Sequence, residues 1–213
     1  LQGVLDLWEA TKEQRYLDFY KAYYEKGKPR FNWQLFLITG DRRWAQEMEE
    51  SGEKFLTDPR RDREGAKLDP RGRYTVDVFA GQSMMLIIFG HLLCDHRFFD
   101  ETVKLLKIVR SYLEDPQTGV WYSRWGHSLH PNRSNPGLWS RGNGWLVDAW
   151  GRVMPLWDKS HPGYKEILQH WQRYCRSIAA LQRPSGLFRQ LLIRPNSFEE
   201  ASGSGLFCSG FSR

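Results

Sequence analysis

The sequence predicts an all-α protein of repeated helical hairpins, and three patterns lead to that reading. A short polar turn between two helices recurs as Thr11-Lys12-Glu13-Gln14-Arg15-Tyr16, as Thr39-Gly40-Asp41-Arg42-Arg43-Trp44 and, more weakly, as Leu92-Leu93-Cys94-Asp95-His96-Arg97-Phe98. In each, a threonine or aspartate is placed to cap the second helix while an aromatic packs back on the first. A second kind of hairpin end, Asp115-Pro116-Gln117-Thr118-Gly119-Val120-Trp121, is echoed by Arg183-Pro184-Ser185-Gly186-Leu187-Phe188. In both, proline stops a helix, glycine turns the chain, and an apolar and an aromatic residue follow. The third pattern covers residues 75–89, where Val76, Val78, Phe79, Met84, Met85, Leu86, Ile87, Ile88 and Phe89 leave little polar face. Such a helix is expected to be buried all round. Repeated αα-hairpins build an open solenoid or a closed toroid, and inner helices of this kind belong to the toroid.

Taken in order, residues 5–10 read as the end of a helix, and residues 12–24 as the next, with Tyr16, Phe19, Tyr20 and Tyr23 at helical spacing. Leu35-Phe36-Leu37-Ile38 leads into the second polar turn, and a helix follows to about residue 55. The buried helix comes next, then a helix from the third turn to about residue 113. The run Leu146-Val147-Asp148-Ala149-Trp150 reads as a further helix. Eight or nine helices are expected, and no Pro/Gly/Ser-rich linker divides the 213 residues, so a single domain over 1–213 is the expectation.

The net charge of +6 is spread along the chain, with acids interleaved among the lysines and arginines, so a nucleic-acid partner is not expected. No apolar run reads as a membrane span and no charged stretch precedes an apolar one at the start, so no membrane partner is expected. Cys94, Cys175 and Cys208 are widely spaced and form no CxxC, which points away from a disulfide framework or a zinc site and toward a reducing, cytoplasmic compartment. No metal or cofactor is expected, and the oligomeric state is left open. Ten tryptophans and nine tyrosines are the more informative feature, because flat faces suit planar ligands and sugar rings.

Those faces concentrate in Trp139-Ser140-Arg141-Gly142-Asn143-Gly144-Trp145, directly before the apolar run. Gly142 and Gly144 let the backbone approach a guest or adopt positive φ, while Trp139, Arg141 and Trp145 supply flat surfaces and a forked donor. The stretch reads equally as a ligand loop or as a turn whose indoles plug the core. Asp77 falls in the first turn of the apolar helix, where the macrodipole favours its charged form and apolar surroundings its neutral form. Gly81 and Met84 share its face, and Gly81 leaves room above the carboxyl. Residues alone leave Asp77 between an acid/base role and plain stabilisation of a helix N-terminus behind a Thr75 cap. His127 and His130 tempt as a metal pair, but no third ligand is spaced to join them, and a solvated loop is expected.

Six pieces of the chain, in order, resemble the unsaturated glucuronyl and rhamnogalacturonyl hydrolases of glycoside hydrolase families 88 and 105. They are Thr39-Gly40-Asp41, Tyr74-Thr75-Val76-Asp77, Asp115-Pro116-Gln117-Thr118-Gly119, the element Trp139 through Trp145, the stretch 182–188, and Glu200-Ala201-Ser202-Gly203-Ser204. The resemblance implies the six-hairpin (α/α)6 toroid. It also implies hydration of the C4=C5 double bond that polysaccharide lyases leave in a terminal uronic acid, with loss of the glycosidic bond as the hemiketal rearranges. A single carboxyl then acts as acid and base, unlike the paired carboxylates of ordinary glycosidases. By this resemblance Asp77 is that carboxyl, the partner is an unsaturated uronic-acid oligosaccharide, and Trp139, Arg141 and Trp145 contact it, with Arg141 suited to the uronate carboxylate. Trp125 falls in a loop that the family turns toward its cleft, although packing explains it equally well. Glu199 and Glu200 are expected to be structural.

The chain departs from the family in places. A second aspartate is common before the Thr-Gly-Asp turn, where this chain runs Lys28-Pro29-Arg30-Phe31-Asn32-Trp33; family histidines are replaced near Ala66-Lys67 and at Ser123. The family continues through further hairpins after the Glu200-Ala201-Ser202 segment, so the toroid is expected to be incomplete here, lacking C-terminal hairpins and some chain near 28–32. Two other readings follow: a sugar epimerase or isomerase on the same toroid, using His127 or His130, and a non-catalytic, degenerate saccharide-binding protein or fragment.

Overall fold

The computed structural model describes residues 2–26, 32–44, 46–127, 130–135 and 137–213, among which nine α-helices and five short strands occur. It divides into two compact units, Leu1–Phe55 and Leu56–Arg213, with the boundary at the end of a helix and no linker between.

The first unit holds α1 (Gln2–Thr11), α2 (Gln14–Glu25), α3 (Trp33–Thr39) and the bulk of α4 (Gln46–Leu56), with a 3-10 turn at Arg42–Trp44. The threonine expected to cap α2 does not: the helix opens at Glu13 with no side-chain cap bond, and the Thr11 hydroxyl and Asp41 carboxylate bond within their own turns. Thr11 Oγ1 accepts from the Glu13 N–H at 3.2 Å, and Asp41 Oδ1 accepts from the Arg43 N–H at 3.0 Å. Leu5, Leu17, Tyr20, Leu35 and Trp44 form the core, so the aromatic of the second turn does pack inward. The tyrosine-rich spacing in α2 misleads, however. Tyr20 is buried, but Phe19 and Tyr23 are exposed, because Leu17, Tyr20 and Tyr24 turn the other face of the helix to the core. Asn32 caps α3, its Oδ1 accepting from the Leu35 N–H at 2.9 Å and its amide donating to Tyr20 Oη at 3.2 Å. Residues 28–31 lie outside the described residues.

The second unit is built of α5 (Val76–Leu93), α6 (His96–Leu113), α7 (Ser140–Val153), α8 (Tyr164–Ala179) and α9 (Ala201–Phe211). Contacts define two layers. Val76 faces Gly142 and Ser83 accepts from Trp150 Nε1 at 2.8 Å, so α5 and α7 run in one direction. Ser140 faces Gly203 and Val147 faces Gly210, so α7 and α9 do too. The other layer is α6 and α8, parallel to each other through Lys107–Glu166 and Arg173–Glu114 ion pairs. Each runs back along its inner partner: Phe99 packs on Gly90, and Tyr174 and Trp171 reach Asn143 and Trp150. The inner layer packs backbone to backbone. A Cβ at Gly210 would lie 2.4 Å from the Val147 carbonyl oxygen, and one at Gly151 would lie 2.5 Å from that of Gly210.

The two proline–glycine turns are structurally alike. The Asp115 N–H donates to Val120 O at 2.8 Å and the Arg183 N–H to Leu187 O at 2.9 Å, with Gly119 and Gly186 at φ +72° and +83°, where a side chain is strained. The expectation of a helix buried all round fails along one stripe. In α5, Phe79, Ala80, Ser83 and Leu86–Gly90 are buried, while Asp77 and Gly81 are exposed and Met84 and Met85 half-buried. The same helix is long and apolar enough by composition to cross a membrane, with a mean hydropathy of 1.6 over 18 residues, contrary to the expectation that no run would be. Half of that window is buried within the protein.

Gly210→Ala should lower stability by about 1–3 kcal/mol, since the clash is with backbone that has no alternative rotamer. Gly205→Ala, in the same helix with open space around its Cβ, should be neutral or stabilising by up to about 1 kcal/mol. Chemical denaturation of the two variants checks the contrast.

Candidate active site

Because α5, α7 and α9 run the same way, their N-termini share one edge, and each helix leaves an extended segment there. Strand β1 (Tyr74–Thr75) runs into α5, Trp139 bridges Leu191 immediately before α7, and β5 (Glu199–Glu200), paired with β4 (Phe188–Arg189), runs into α9. Thr75 caps α5 by accepting from the Val78 N–H at 3.3 Å. Glu200 caps α9 by accepting from the N–H groups of Ser202 and Gly203, and also accepts from the Ser140 hydroxyl at the start of α7. Burial opposes the charge of Glu200, but these donors overcome it and hold its carboxyl below the ordinary value. The structural role expected of Glu200 follows from this geometry, and Glu199 accepts from Ser185 Oγ across the β4–β5 pair.

The Trp139 motif differs from expectation in one respect. It is the first turn of α7 rather than a loop ahead of the helix, so Gly142 and Gly144 are helical and buried. Their missing side chains serve packing: a Cβ on Gly144 would meet Leu206, and one on Gly142 would lie 3.0 Å from Val76 and 3.1 Å from the Trp139 ring. It would also stand 3.7 Å from Asp77 Oδ1, which brings the catalytic candidate and the aromatic motif together. Arg141 and Trp145, four residues apart, are both exposed on one face of α7, and the Arg141 guanidinium lies over the Trp139 ring at 4.4 Å.

Asp77 reaches solvent, and neighbouring groups remove enough water to push its carboxyl above the ordinary value of 3.8; Arg124 and then Arg141 oppose that shift. Gly81 is exposed one turn on, with nothing within 4 Å of where its Cβ would be, and Met84 is half-buried beyond it. The stripe expected from helical spacing is therefore the open face of α5. Trp125 is half-buried, and its ring meets Tyr112 edge-on at 5.4 Å.

Arg124 is absent from the sequence reading. It sits in β2 (Arg124–His127), opposite Thr75, and β2 pairs with β3 (His130–Ser134). Only the partner strand reveals that its side chain shares a face with the start of α5. Asn143 was quoted merely as part of a motif, yet it organises the edge. Its Oδ1 accepts from the Trp121 N–H at 3.0 Å and Tyr174 Oη at 2.7 Å, and its amide donates to the carbonyls of Trp121 and Trp139 at 2.8 and 2.9 Å. His127 and His130 lie opposite each other in the β2–β3 hairpin instead of in an open loop, and their side chains lie outside the described residues. Among the described residues no group of three or more histidines, cysteines or acids is placed to hold a metal ion.

Solved structures share this helix arrangement. A possible member of the GH105 family from Klebsiella pneumoniae superposes with a TM-score of 0.80 at 20% identity, covering 98% of this chain and 60% of that one. The unsaturated glucuronyl hydrolase of Bacillus sp. GL1 superposes with a TM-score of 0.60 at 15% identity, covering 84% and 51%. The fold is thus that of the six-hairpin (α/α)6 toroids. Within that class the chain belongs to Glycosyl Hydrolase Family 88, whose model matches residues 1–213. It is 25% identical to the unsaturated rhamnogalacturonyl hydrolase YesR of Bacillus subtilis over 95% of its own length, and spans 65% of that relative. It is 24% identical over 54% of its length to an unsaturated 3S-rhamnoglycuronyl hydrolase of Alteromonas sp., of which it covers 29%.

Two outcomes follow. Asn143→Ala leaves the Trp121 N–H and carbonyl and the Tyr174 hydroxyl short of a partner and should cost about 2–4 kcal/mol in denaturant unfolding. Asp77 behaves oppositely. Its raised carboxyl favours folding at low pH, and that contribution is lost as pH rises through the raised value, so the ionised form burdens the fold. Asp77→Asn should therefore melt at or above the parent's temperature at pH 7, with the gap closing below about pH 3.8.

Proposed function

We propose that the protein hydrates the C4=C5 double bond of a terminal unsaturated uronic acid in an oligosaccharide produced by polysaccharide lyases. The observation that carries this reading is the solvent-reachable carboxyl of Asp77 beside the first turn of α7, acted on by Arg124 and Arg141, with no second carboxylate among the described residues acting on it. Ordinary glycosidases need two carboxyls about 5–9.5 Å apart. Hydration of a vinyl ether needs one.

The double bond belongs to the vinyl ether C4=C5–O5. Asp77, protonated, gives its proton to C4, and the π electrons leave an oxocarbenium ion across C5 and O5. The resulting carboxylate takes a proton from water as that water's oxygen bonds to C5, which restores the acid and forms a hemiketal. Ring opening turns C5 into a ketone and leaves C1 as a hemiacetal, whose collapse to the aldehyde releases the rest of the chain as an alcohol. A carboxyl raised above its ordinary value suits this cycle, because proton donation and recovery both gain when its affinity for the proton lies closer to the working pH. Arg141, its guanidinium over the Trp139 ring, offers a bidentate donor to the uronate carboxylate, and the exposed Trp145 on the same face of α7 offers an apolar surface to a sugar ring. The names of the relatives, hydrolases of unsaturated rhamnogalacturonyl and rhamnoglycuronyl substrates, support this class of substrate.

Unsaturated disaccharides from pectin or glycosaminoglycan lyase digests should lose their ultraviolet absorbance on incubation with the protein. Asp77→Asn should slow that loss by about 10²–10⁴-fold. The parent rate should fall as pH rises through the raised value of Asp77, where the acid form disappears. Equal rates for Asp77→Asn and parent would remove the assignment.

A further inference from the structure

The mechanism above uses one guanidinium, and the site holds two. Arg124 is fixed from both sides of its backbone: its N–H donates to Asn135 Oδ1 at 3.1 Å and its carbonyl accepts from the Asn135 N–H at 3.0 Å. Its direction follows from the strand pairing. Trp125 opposes Tyr74, and both rings pack on Tyr112, at 5.4 and 4.1 Å, so that face of the sheet is closed by aromatics. Side chains alternate along a strand, so Arg124 emerges on the other face with its partner Thr75, whose hydroxyl caps the first turn of α5. From there its charge acts on the carboxyl of Asp77, two residues beyond Thr75.

Neither Arg124 nor Arg141 has a hydrogen-bonded or ion-paired acid among the described residues, in contrast to Arg61, Arg73, Arg97, Arg110 and Arg152. Nor does Asp77 satisfy them: burial outweighs both cations and leaves its carboxyl raised. Arg141 at least stacks on Trp139. Arg124, half-buried, makes no side-chain hydrogen bond among the described residues. A guanidinium held in that way is suited to an oxyanion brought by the ligand.

We infer that Arg124 determines specificity for substrates carrying a second oxyanion, a sulfate ester or a second uronate carboxylate, while Arg141 receives the carboxylate of the terminal unsaturated sugar. This rests on the reading of the site as an unsaturated-uronyl hydrolase, and it narrows the substrate from a singly charged to a doubly charged oligosaccharide.

The test measures kcat/KM for two matched pairs of unsaturated oligosaccharides: a disaccharide with and without a sulfate on its second sugar, and a trisaccharide with a uronic or a neutral sugar at its third position. The parent should favour the doubly charged member of at least one pair by roughly tenfold or more, and which pair responds separates sulfate from carboxylate. Arg124→Gln should bring that ratio close to one, Arg124→Lys should restore part of it, and rising salt should erode it. A ratio near one in the parent, or a ratio unchanged in Arg124→Gln while all rates fall together, overturns the inference. If the parent turns over no member of either pair, the hydrolase reading fails by itself. Calorimetric affinities for the same four compounds then decide the inference: an Arg124-dependent preference upholds it, and equal binding overturns it.

Discussion

The amide of Asn143 is the contact on which the functional edge of the protein depends. A buried side-chain amide carries two donors and two acceptor positions, and here all four are used, on Trp121, Trp139 and Tyr174. Those partners belong to three different segments: the turn after α6, the residue that opens α7, and the outer helix α8. One side chain therefore sets the height at which α7 starts relative to the loop that leads into β2. Since Trp139 and Arg141 flank that start and Arg124 lies in β2, the spacing of the charged and aromatic groups around Asp77 depends on a single satisfied amide. Any residue unable to both donate twice and accept twice leaves backbone groups unpaired in a dry interior, which is costly.

Close approach of the inner helices does the rest. Glycines 144 and 151 of α7 meet glycines 203 and 210 of α9 at backbone distance, and Gly142 admits Val76 of α5. Helices packed this closely and in one direction bring their N-termini to the same edge. Thr75, Trp139 and Glu200 each make the transition from extended chain to helix there, and the positive ends of three helix dipoles point to it. Dipoles and two guanidinium groups that have no acid partner among the described residues make the edge favourable to anions. The same surroundings explain why Asp77 is an exception among the acids of the chain. Asp41, Asp58, Asp69, Asp95 and Asp158 are held below their ordinary value by direct hydrogen bonds, whereas Asp77 has cations nearby without direct bonds and loses water, so its carboxyl rises. A group that must give and recover a proton is best left in that state.

Much of the local structure is legible in the chain. The proline–glycine hairpin ends, the start of α5 behind Thr75 and the start of α6 behind Asp95 are written in residues whose backbone preferences act over three or four positions, whereas the threonine expected to cap α2 bonds within its turn instead. Errors arise where one face must be chosen. In α2, aromatic spacing points to Tyr16, Phe19, Tyr20 and Tyr23, but of these only Tyr20 joins the core, beside Leu17 and Tyr24. In α5, apolar composition points to burial on every side, but Asp77 and Gly81 open a stripe. Composition reports how much surface a helix wishes to hide; what stands opposite decides which surface it is.

Local chemistry and an ordered series of motifs are enough for the helical-hairpin class, the Thr75 and Asp95 caps, and the candidates Asp77, Trp139, Arg141 and Trp145. It takes the packed chain to make Gly142 and Gly144 packing glycines inside a helix, to set Trp125 against Tyr112, and to make Asn143 the organiser of the edge. Packing also brings Arg124 to Asp77, 47 positions away in the chain. The physical reason is strand register: a side chain's face depends on which residue lies opposite, and the pairing of Arg124 with Thr75 is a long-range contact that no local pattern in residues 121–125 encodes.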